Sequence, residues 1–240
     1  MAGVLRAGRT PRATTPAAPS RLRVRFTAIS LSEDERPSVI RRPPCLRMSR
    51  YALLTPRTVV RMNICVFLSA ADLSETYTRP AREFAELIGQ GGHTLVWGGS
   101  DVGLMKVVAD GVHAAGGLLM GVSVDFLAAK ARKGVDDMVI AADLGERKRL
   151  LLEKADAVVI MVGGTGTLDE ATEILELKKH GRTDKPVVLL NTAGFYDGLK
   201  EQFRRMEDEG FLPRPLTDLV FFAEEPVGAM AYLEESFGLS

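Results

Sequence analysis

Short apolar runs alternate with longer amphipathic runs from Asn63 to the end of the chain, and this alternation is the strongest constraint on the fold. Strands so apolar are typical of a parallel sheet with helices on both faces. We therefore predict a single α/β domain built on a Rossmann-like, doubly wound parallel sheet. The predicted strands cover residues 64–68, 94–97, 118–122, 138–141, 157–161, 186–190 and 219–222. The predicted helices cover residues 80–88, 102–114, 144–155, 168–179, 196–209 and 226–237.

The charges divide the chain into two parts. Residues 1–61 contain thirteen arginines, no lysine and three acidic residues, and the resulting charge of +10 is balanced by −10 in residues 62–240. We expect residues 1–61 to be an Arg/Pro-rich, disordered extension and residues 62–240 to be the functional domain. The extension is either an organelle-targeting leader, translated upstream sequence before a working start at Met62, or a basic tail. We favour the start at Met62, because the many prolines would break an amphipathic targeting helix.

Composition excludes several classes of protein. The acidic main domain has no basic stripe for nucleic acid, and no apolar run reaches the roughly 18 residues that a membrane span requires. Two cysteines cannot form a disulfide framework, so we predict a reducing, cytoplasmic location. The three histidines lack metal-ligand spacing, and we expect His93 and His180 at the surface, so no metal site is predicted.

The turn at residues 162–170 (VGGTGTLDE) lies between a predicted strand and a predicted helix and is the strongest local signal. Glycines allow close backbone approach and left-handed conformations, so amide N–H groups can converge at the positive end of the helix dipole. Such a turn would cradle a phosphate, and two hydroxyls could add donors. The candidates for phosphate binding here are Gly163, Gly164, Thr165, Gly166 and Thr167.

Other interpretations of this turn remain open from the sequence. It has neither the dinucleotide-binding register nor the lysine of a Walker A loop, which disfavours a nucleoside triphosphate. A purely structural interpretation makes Thr167 the N-cap of the helix, with Glu170 completing a capping box.

Two further loops follow predicted strands and could face the same cleft, because ligands of open α/β sheets bind beyond the carboxyl ends of the strands. Gly98 and Gly99 follow the second strand, and Ser69 follows the first. Close helix-to-strand packing and a simple polar loop are the alternatives for these positions.

Arg147 falls on the apolar side of its predicted helix. It lies three residues after Leu144 and four before Leu151, unlike Arg149, which faces away. A guanidinium in that position needs an acidic partner or a ligand oxyanion, because an unpaired buried charge costs several kcal/mol. The alternative is an arginine at the rim whose charged end reaches past Leu144 to solvent.

These motifs together resemble the LONELY GUY (LOG) family, whose hallmark is a P-G-G-x-G-T-x-x-E turn. The resemblance covers about residues 62–212. It rests on ordered motifs at residues 97–99, 103–105, 146–148, 163–170, 184–187, 189–191, 194–197 and 209–212.

The resemblance implies an enzyme that hydrolyses cytokinin riboside 5′-monophosphates to the free N6-substituted adenine and ribose 5-phosphate. It implies that Arg147 and Glu170 are catalytic, that the glycine turn holds the phosphate, and that Lys148 contributes to substrate binding. It also implies a homodimer with the site near the interface. No metal or organic cofactor is expected, and the partner is a small nucleotide rather than nucleic acid or a membrane.

The chain departs from the family pattern around this site. Val162 replaces the proline of the hallmark turn, Lys106 a glycine, and Leu177 a common tryptophan. Leu144 and Gly145 replace a Met-His pair, and the residues after the first strand differ as well. Two rival functions therefore stay open: a non-catalytic binding protein for a nucleotide or phosphate ligand, and hydrolysis of ordinary nucleoside 5′-monophosphates.

Overall fold

A computed structural model describes residues 60–238, which form seven strands and seven α-helices. The strands are β1 (Asn63–Phe67), β2 (Thr94–Trp97), β3 (Leu118–Val124), β4 (Asp137–Ala141), β5 (Ala157–Ile160), β6 (Val187–Leu190) and β7 (Phe221–Ala223). The helices are α1 (Glu75–Gln90), α2 (Gly103–Ala114), α3 (Leu144–Lys154), α4 (Thr165–Lys179), α5 (Asp197–Asp208), α6 (Leu216–Leu219) and α7 (Pro226–Ser236). Short 3-10 helices cover Asp125–Lys130 and Thr192–Gly194. Almost all of the predicted extension lies outside the described residues.

The strands form one sheet in the order β4-β3-β2-β1-β5-β6-β7, and every neighbouring pair is parallel. Side chains alternate between its two faces, so Ile64 and Val66 of β1 join one apolar core and Cys65 and Phe67 the other. Helices α1, α2 and α7 cover the first face, and α3, α4 and α5 cover the second. The predicted doubly wound α/β fold is confirmed.

The chain reverses its direction of travel across the sheet at β1. Strands β2, β3 and β4 follow on one side of β1, and β5 then pairs with β1 on the other side. The backbone N–H of Ser69, just after β1, donates to the carbonyl of Val162, just after β5, at 3.0 Å. Ligands of open α/β sheets bind at such a switch point, so these two loops mark the expected position of a site.

Two helices begin earlier than predicted. Helix α1 starts at Glu75 and carries Pro80 in its interior rather than at its first turn; the preceding residues are mostly exposed and polar and show no apolar period. Helix α4 starts at Thr165, with Gly164 as its N-cap, because the glycine turn runs directly into helical geometry. The last strand is also shorter than predicted, since Leu219 belongs to the short helix α6.

The prediction for His93 was wrong, whereas His180 is exposed as expected. His93 is only 3% exposed, and its Nδ1 accepts a hydrogen bond from the backbone N–H of Met62 at 3.2 Å. Gly91 makes room for the ring, because a Cβ there would lie 2.5 Å from its Nε2 atom. Within residues 60–238, no helix combines the length and the apolar character that a membrane crossing requires.

Candidate functional site

A buried ion pair joins α3 to α4. The Nη1 atom of Arg147 lies 3.5 Å from the Oε1 atom of Glu170, and these side chains are 11% and 12% exposed. The Nε–H of Arg147 also donates to the carbonyl of Val122, on β3, at 2.9 Å. The prediction that Arg147 faces inward and finds an acidic partner is confirmed, and the alternative of an arginine at the rim is wrong. The guanidinium is fixed by a strand on one side and a helix on the other.

Burial dominates the electrostatics of the carboxylate. Removal of Glu170 from water raises its pKa to about 7, and the opposing attraction of Arg147 only limits that rise. Near neutral pH, Glu170 therefore exists in both protonation states. The pKa of the fully buried Cys65 thiol is raised well above its usual value, first by burial and then by the negative charge of Glu170. The attraction of Arg147 is therefore not enough to keep the pKa of Glu170 at its ordinary value.

The second glycine turn makes room for the pair. A Cβ on Gly98 would overlap the Nη2 atom of Arg147, so any larger residue there would displace the guanidinium. Gly99 has φ +70°, in the left-handed region that favours glycine. Gly98 thus lets the end of β2 pack against the ion pair, and the helix-to-strand packing that the sequence left open is packing against Arg147 at this position. A Cβ on Gly99 would instead meet Met138 of β4.

The third loop of the cleft is the one after β1. Gly103 opens α2 with φ +53°, and a Cβ there would overlap the carbonyl of Ala70. The Oγ of Ser69 accepts from the backbone N–H of Ala71 at 3.0 Å, so this hydroxyl braces its own loop. The structure brings the loops after β1, β2 and β5 together, and Ser69 lies among them.

The glycine turn presents an open helix N-terminus. Gly164, Thr165 and Gly166 are exposed, and a Cβ on either of these glycines would meet no atom within 4 Å. Thr167 is 5% exposed and lies under Gly163, where a Cβ would overlap its hydroxyl. The first N–H groups of α4 receive no side-chain cap, so they point into open space with the positive end of the helix dipole.

Two expectations about this turn are corrected. None of Gly163, Gly164 and Gly166 has a positive φ, so these glycines give space rather than left-handed backbone. Thr167 is not the N-cap, because the helix begins before it, and the capping-box interpretation of Glu170 is therefore wrong. The carboxylate instead lies in the second turn of α4, directed at Arg147.

Lys148 occupies a different environment from the other candidates. Its Nζ lies 2.8 Å from a carboxylate oxygen of Asp169 and 2.6 Å from one of Glu173. The hydrogen bonds that Lys148 donates to these two carboxylates raise the lysine pKa above its ordinary value. Lys148 therefore ties α3 to α4 beside the Arg147–Glu170 pair, and its contribution to substrate binding stays a prediction.

Tyr196, to which the sequence alone assigns no role, lies in the loop after β6 and contacts the backbone next to the glycine turn. Its hydroxyl donates to the carbonyl of Met161, immediately before the glycine turn, at 2.8 Å. The only signal was its place in the motif at residues 194–197. Within residues 60–238, no three His, Cys, Asp or Glu side chains are grouped so that they could hold a metal ion.

Comparisons with known proteins agree with this architecture. The family model described as possible lysine decarboxylase matches residues 105–233. Cytokinin riboside 5′-monophosphate phosphoribohydrolase LOG5 of Arabidopsis thaliana is 34% identical over 152 residues, which cover 62% of this chain and 67% of that protein. The cytokinin riboside 5′-monophosphate phosphoribohydrolase of Mycobacterium tuberculosis is 31% identical over 151 residues, which cover 62% of this chain and 81% of that protein.

Among solved structures, the molybdenum cofactor carrier protein of Chlamydomonas reinhardtii is similar, with a TM-score of 0.57 and 26% identity. The similarity covers 75% of this chain and 99% of the carrier protein. The fold is thus shared by proteins named as phosphoribohydrolases and by one named as a carrier. By the extent of the family match and the identity to these relatives, the chain belongs to the family described as possible lysine decarboxylase, the LOG family.

Proposed function

We propose that this protein hydrolyses the N-glycosidic bond of an N6-modified adenosine 5′-monophosphate and releases the free base and ribose 5-phosphate. The observation that carries the proposal is the buried Arg147–Glu170 pair, which lies one helical turn beyond the open N-terminus of α4. An open helix N-terminus suits a phosphate, and a buried carboxylate suits a developing positive charge. The names of the relatives support the same reaction.

Cleavage of a ribosyl bond builds oxocarbenium character on the sugar, so a carboxylate that faces the sugar lowers the energy of the transition state. In this proposal the Glu170 carboxylate stabilises that charge or orients the attacking water. Water adds at the anomeric carbon, and the electron pair of the broken bond leaves with the base, which takes up a proton. Arg147 holds Glu170 in place and binds a ribose hydroxyl or a phosphate oxygen with its remaining N–H groups.

The glycine turn supplies binding energy away from the reacting bond. The 5′-phosphate accepts hydrogen bonds from the backbone N–H groups at the start of α4, where Gly164 and Gly166 leave open space. Such remote binding positions the ribose over the carboxylate and raises the rate of the chemical step. A nucleoside without the phosphate would lose this contribution.

A second candidate function is a non-catalytic binding protein for a nucleotide or another phosphate-bearing ligand. The similarity to the Chlamydomonas carrier protein favours this function, because the similarity covers 99% of the carrier protein. This candidate predicts tight, stoichiometric retention of a ligand without turnover. Hydrolysis of ordinary nucleoside 5′-monophosphates is the remaining variant of the enzyme proposal.

Release of free base from a panel of nucleoside 5′-monophosphates tests these candidates. The panel contains isopentenyl-AMP, AMP, GMP and CMP, and isopentenyladenosine serves as the control that lacks the phosphate. Preferred hydrolysis of isopentenyl-AMP supports the proposal, and equal rates for this nucleotide and its nucleoside would remove the phosphate-binding role of the turn. Retention of a nucleotide without any release of base would favour the carrier function.

A further inference from the structure

The loop between β6 and α5 reaches across to the phosphate-binding turn, and Tyr196 is the residue that makes the connection. We propose that Tyr196 is a positioning residue for the recognition of the 5′-phosphate, and that its hydroxyl fixes the backbone from which the glycine turn begins. This inference rests on the proposed function, because it concerns the phosphate arm of the same substrate.

The Tyr196 hydroxyl contacts the backbone immediately after the end of β5, where the glycine turn begins. The ladder between β5 and β6 ends at the pair Ile160 and Leu189, and the next carbonyl, that of Met161, accepts from the Tyr196 hydroxyl at 2.8 Å. On the other side, the N–H of Met161 donates to the carbonyl of Phe67 at 2.9 Å. The peptide before the turn is therefore held from β1 by backbone and from the β6–α5 loop by a side chain.

Tyr196 is itself held rigidly. The side chain of Asn191, at the end of β6, accepts from the backbone N–H of Tyr196 at 2.7 Å and donates to Asp197 at 2.7 Å. The ring of Phe195 packs edge-on against that of Tyr196, with ring centres 4.8 Å apart. Tyr196 is 3% exposed, so its hydroxyl has few other positions to adopt. The contact with Met161 is a fixed support rather than a mobile one.

Tyr196 acts as a hydrogen-bond donor and not as an acid or base. Burial raises its pKa to about 12, and a backbone hydrogen bond from Gly163 acts in the opposite direction. The phenol therefore stays protonated near neutral pH. Its effect must come through the geometry of residues 161–163, which precede the exposed N–H groups of α4.

Loss of the hydroxyl has a consequence that a general loss of stability does not have. Without this donor, the backbone of Met161 and Val162 keeps only its bonds to Phe67 and Ser69, and the N–H groups of the turn spread over a wider range of positions. Binding of the phosphate suffers, because preorganised donors bind an anion better than mobile ones. Binding of the nucleoside part does not involve this turn and stays the same.

The test compares the wild-type chain with Tyr196→Phe, which keeps the ring and removes only the hydroxyl. Calorimetry measures the affinity of each protein for AMP and for adenosine, and steady-state kinetics give kcat and KM on the best nucleotide substrate. We expect the affinity for AMP to fall about 10-fold and that for adenosine to stay within about 2-fold, a difference that corresponds to the loss of one well-placed hydrogen bond. KM should rise more than kcat falls, and the pH profile should keep its shape.

Tyr232→Phe is the matched control, because Tyr232 stacks on Phe221 of the edge strand β7, and β6 lies between β7 and the strand that leads into the turn. It should leave both affinities unchanged. Equal losses for AMP and adenosine in Tyr196→Phe, or no loss for AMP, would overturn the proposal. So would a wild-type protein that binds AMP no better than adenosine. A wild-type protein that binds AMP in a phosphate-dependent way without turnover would refute only the hydrolase function.

Discussion

At the scale of single residues, Arg147 and Glu170 place opposite charges where little water reaches either side chain. If the carboxylate stabilises positive charge on the sugar, Glu170→Gln should lower kcat by roughly 10²-fold or more, a typical loss for one electrostatic stabiliser. The protein should stay folded, because the amide still accepts from Arg147. Turnover of the folded variant is the measurement, with Glu176→Gln, on the exposed side of α4, as the control. Near-normal kcat in Glu170→Gln would leave the carrier function ahead.

The raised pKa of Glu170 also predicts how stability depends on pH. The folded-state pKa of about 7 lies above the ordinary value of 4.5, so the contribution of this group to stability is complete below about pH 4.5 and is lost as pH rises through 7. Between pH 5 and 8, wild type should therefore lose about 2 kcal/mol relative to Glu170→Gln. Urea unfolding of both proteins at the two pH values measures the difference. A constant difference would show that the carboxyl titrates normally.

Gly98 offers a test of the guanidinium position. The methyl group in Gly98→Ala would occupy the place of the Arg147 Nη2 atom, so the arginine has to move away from its present contacts. We expect a loss of activity comparable to that of an Arg147 variant, at roughly 10²-fold or more. Gly145→Ala, on the exposed side of α3, is the control, since the nearest atom to the added Cβ would be a side-chain oxygen of Asp143 at 3.2 Å. Full activity of Gly98→Ala would mean that the position of Nη2 is unimportant.

At the scale of helices and strands, the start of α4 decides whether a phosphate can approach. Valine at Gly164 or Gly166 would project into the open space before the helix, and we expect KM for the nucleotide to rise at least about 10-fold, since a blocked anion site loses its charge-assisted hydrogen bonds. Gly228→Val is the matched control, because Gly228 lies in the first turn of α7 with the same open space. Unchanged KM in the α4 variants would place the phosphate elsewhere.

The sequence predicted elements best where burial alone determines them. Strand β5 is apolar on every residue and its predicted extent differs by one residue from the observed strand. The start of α4 was missed because it depends on the backbone angles at Gly164, which no side-chain pattern records. The helical spacing of Arg147 from Leu144 and Leu151 correctly predicted that its side chain faces inward. The contact of Tyr196 with Met161 was not predictable, because it joins residues 35 positions apart on elements that do not follow one another.

At the scale of the whole molecule, Met62 is the first residue of the hydrophobic core in the described part of the chain. Met62 is 1% exposed and belongs to the core between β1, α1 and α2, and every candidate site residue follows it. We propose that residues 62–240 are the functional domain, so a chain that begins at Met62 should keep the thermal midpoint and kcat of the full chain. Differential scanning calorimetry and the base-release assay measure both. A large fall in either value would assign residues 1–61 a part in the fold. The homodimer and the cytoplasmic location stay predictions.

The central place of β1 also predicts an order of folding. The backbone N–H of Asn63 donates a hydrogen bond to the side chain of Asp156, 93 residues later. Strand β1 can pair with β5 only after the ribosome has synthesised β2, β3 and β4, which lie between them in the chain. Closing so long a loop is slow, because chain entropy is lost before the pairing compensates for it. The Arg147–Glu170 contact joins α3 and α4, which precede and follow β5 in the chain, so we expect it to reach its final geometry only when β5 lies beside β1. We therefore expect the candidate site to be completed late in folding, so that a partly folded chain would bind nucleotides poorly.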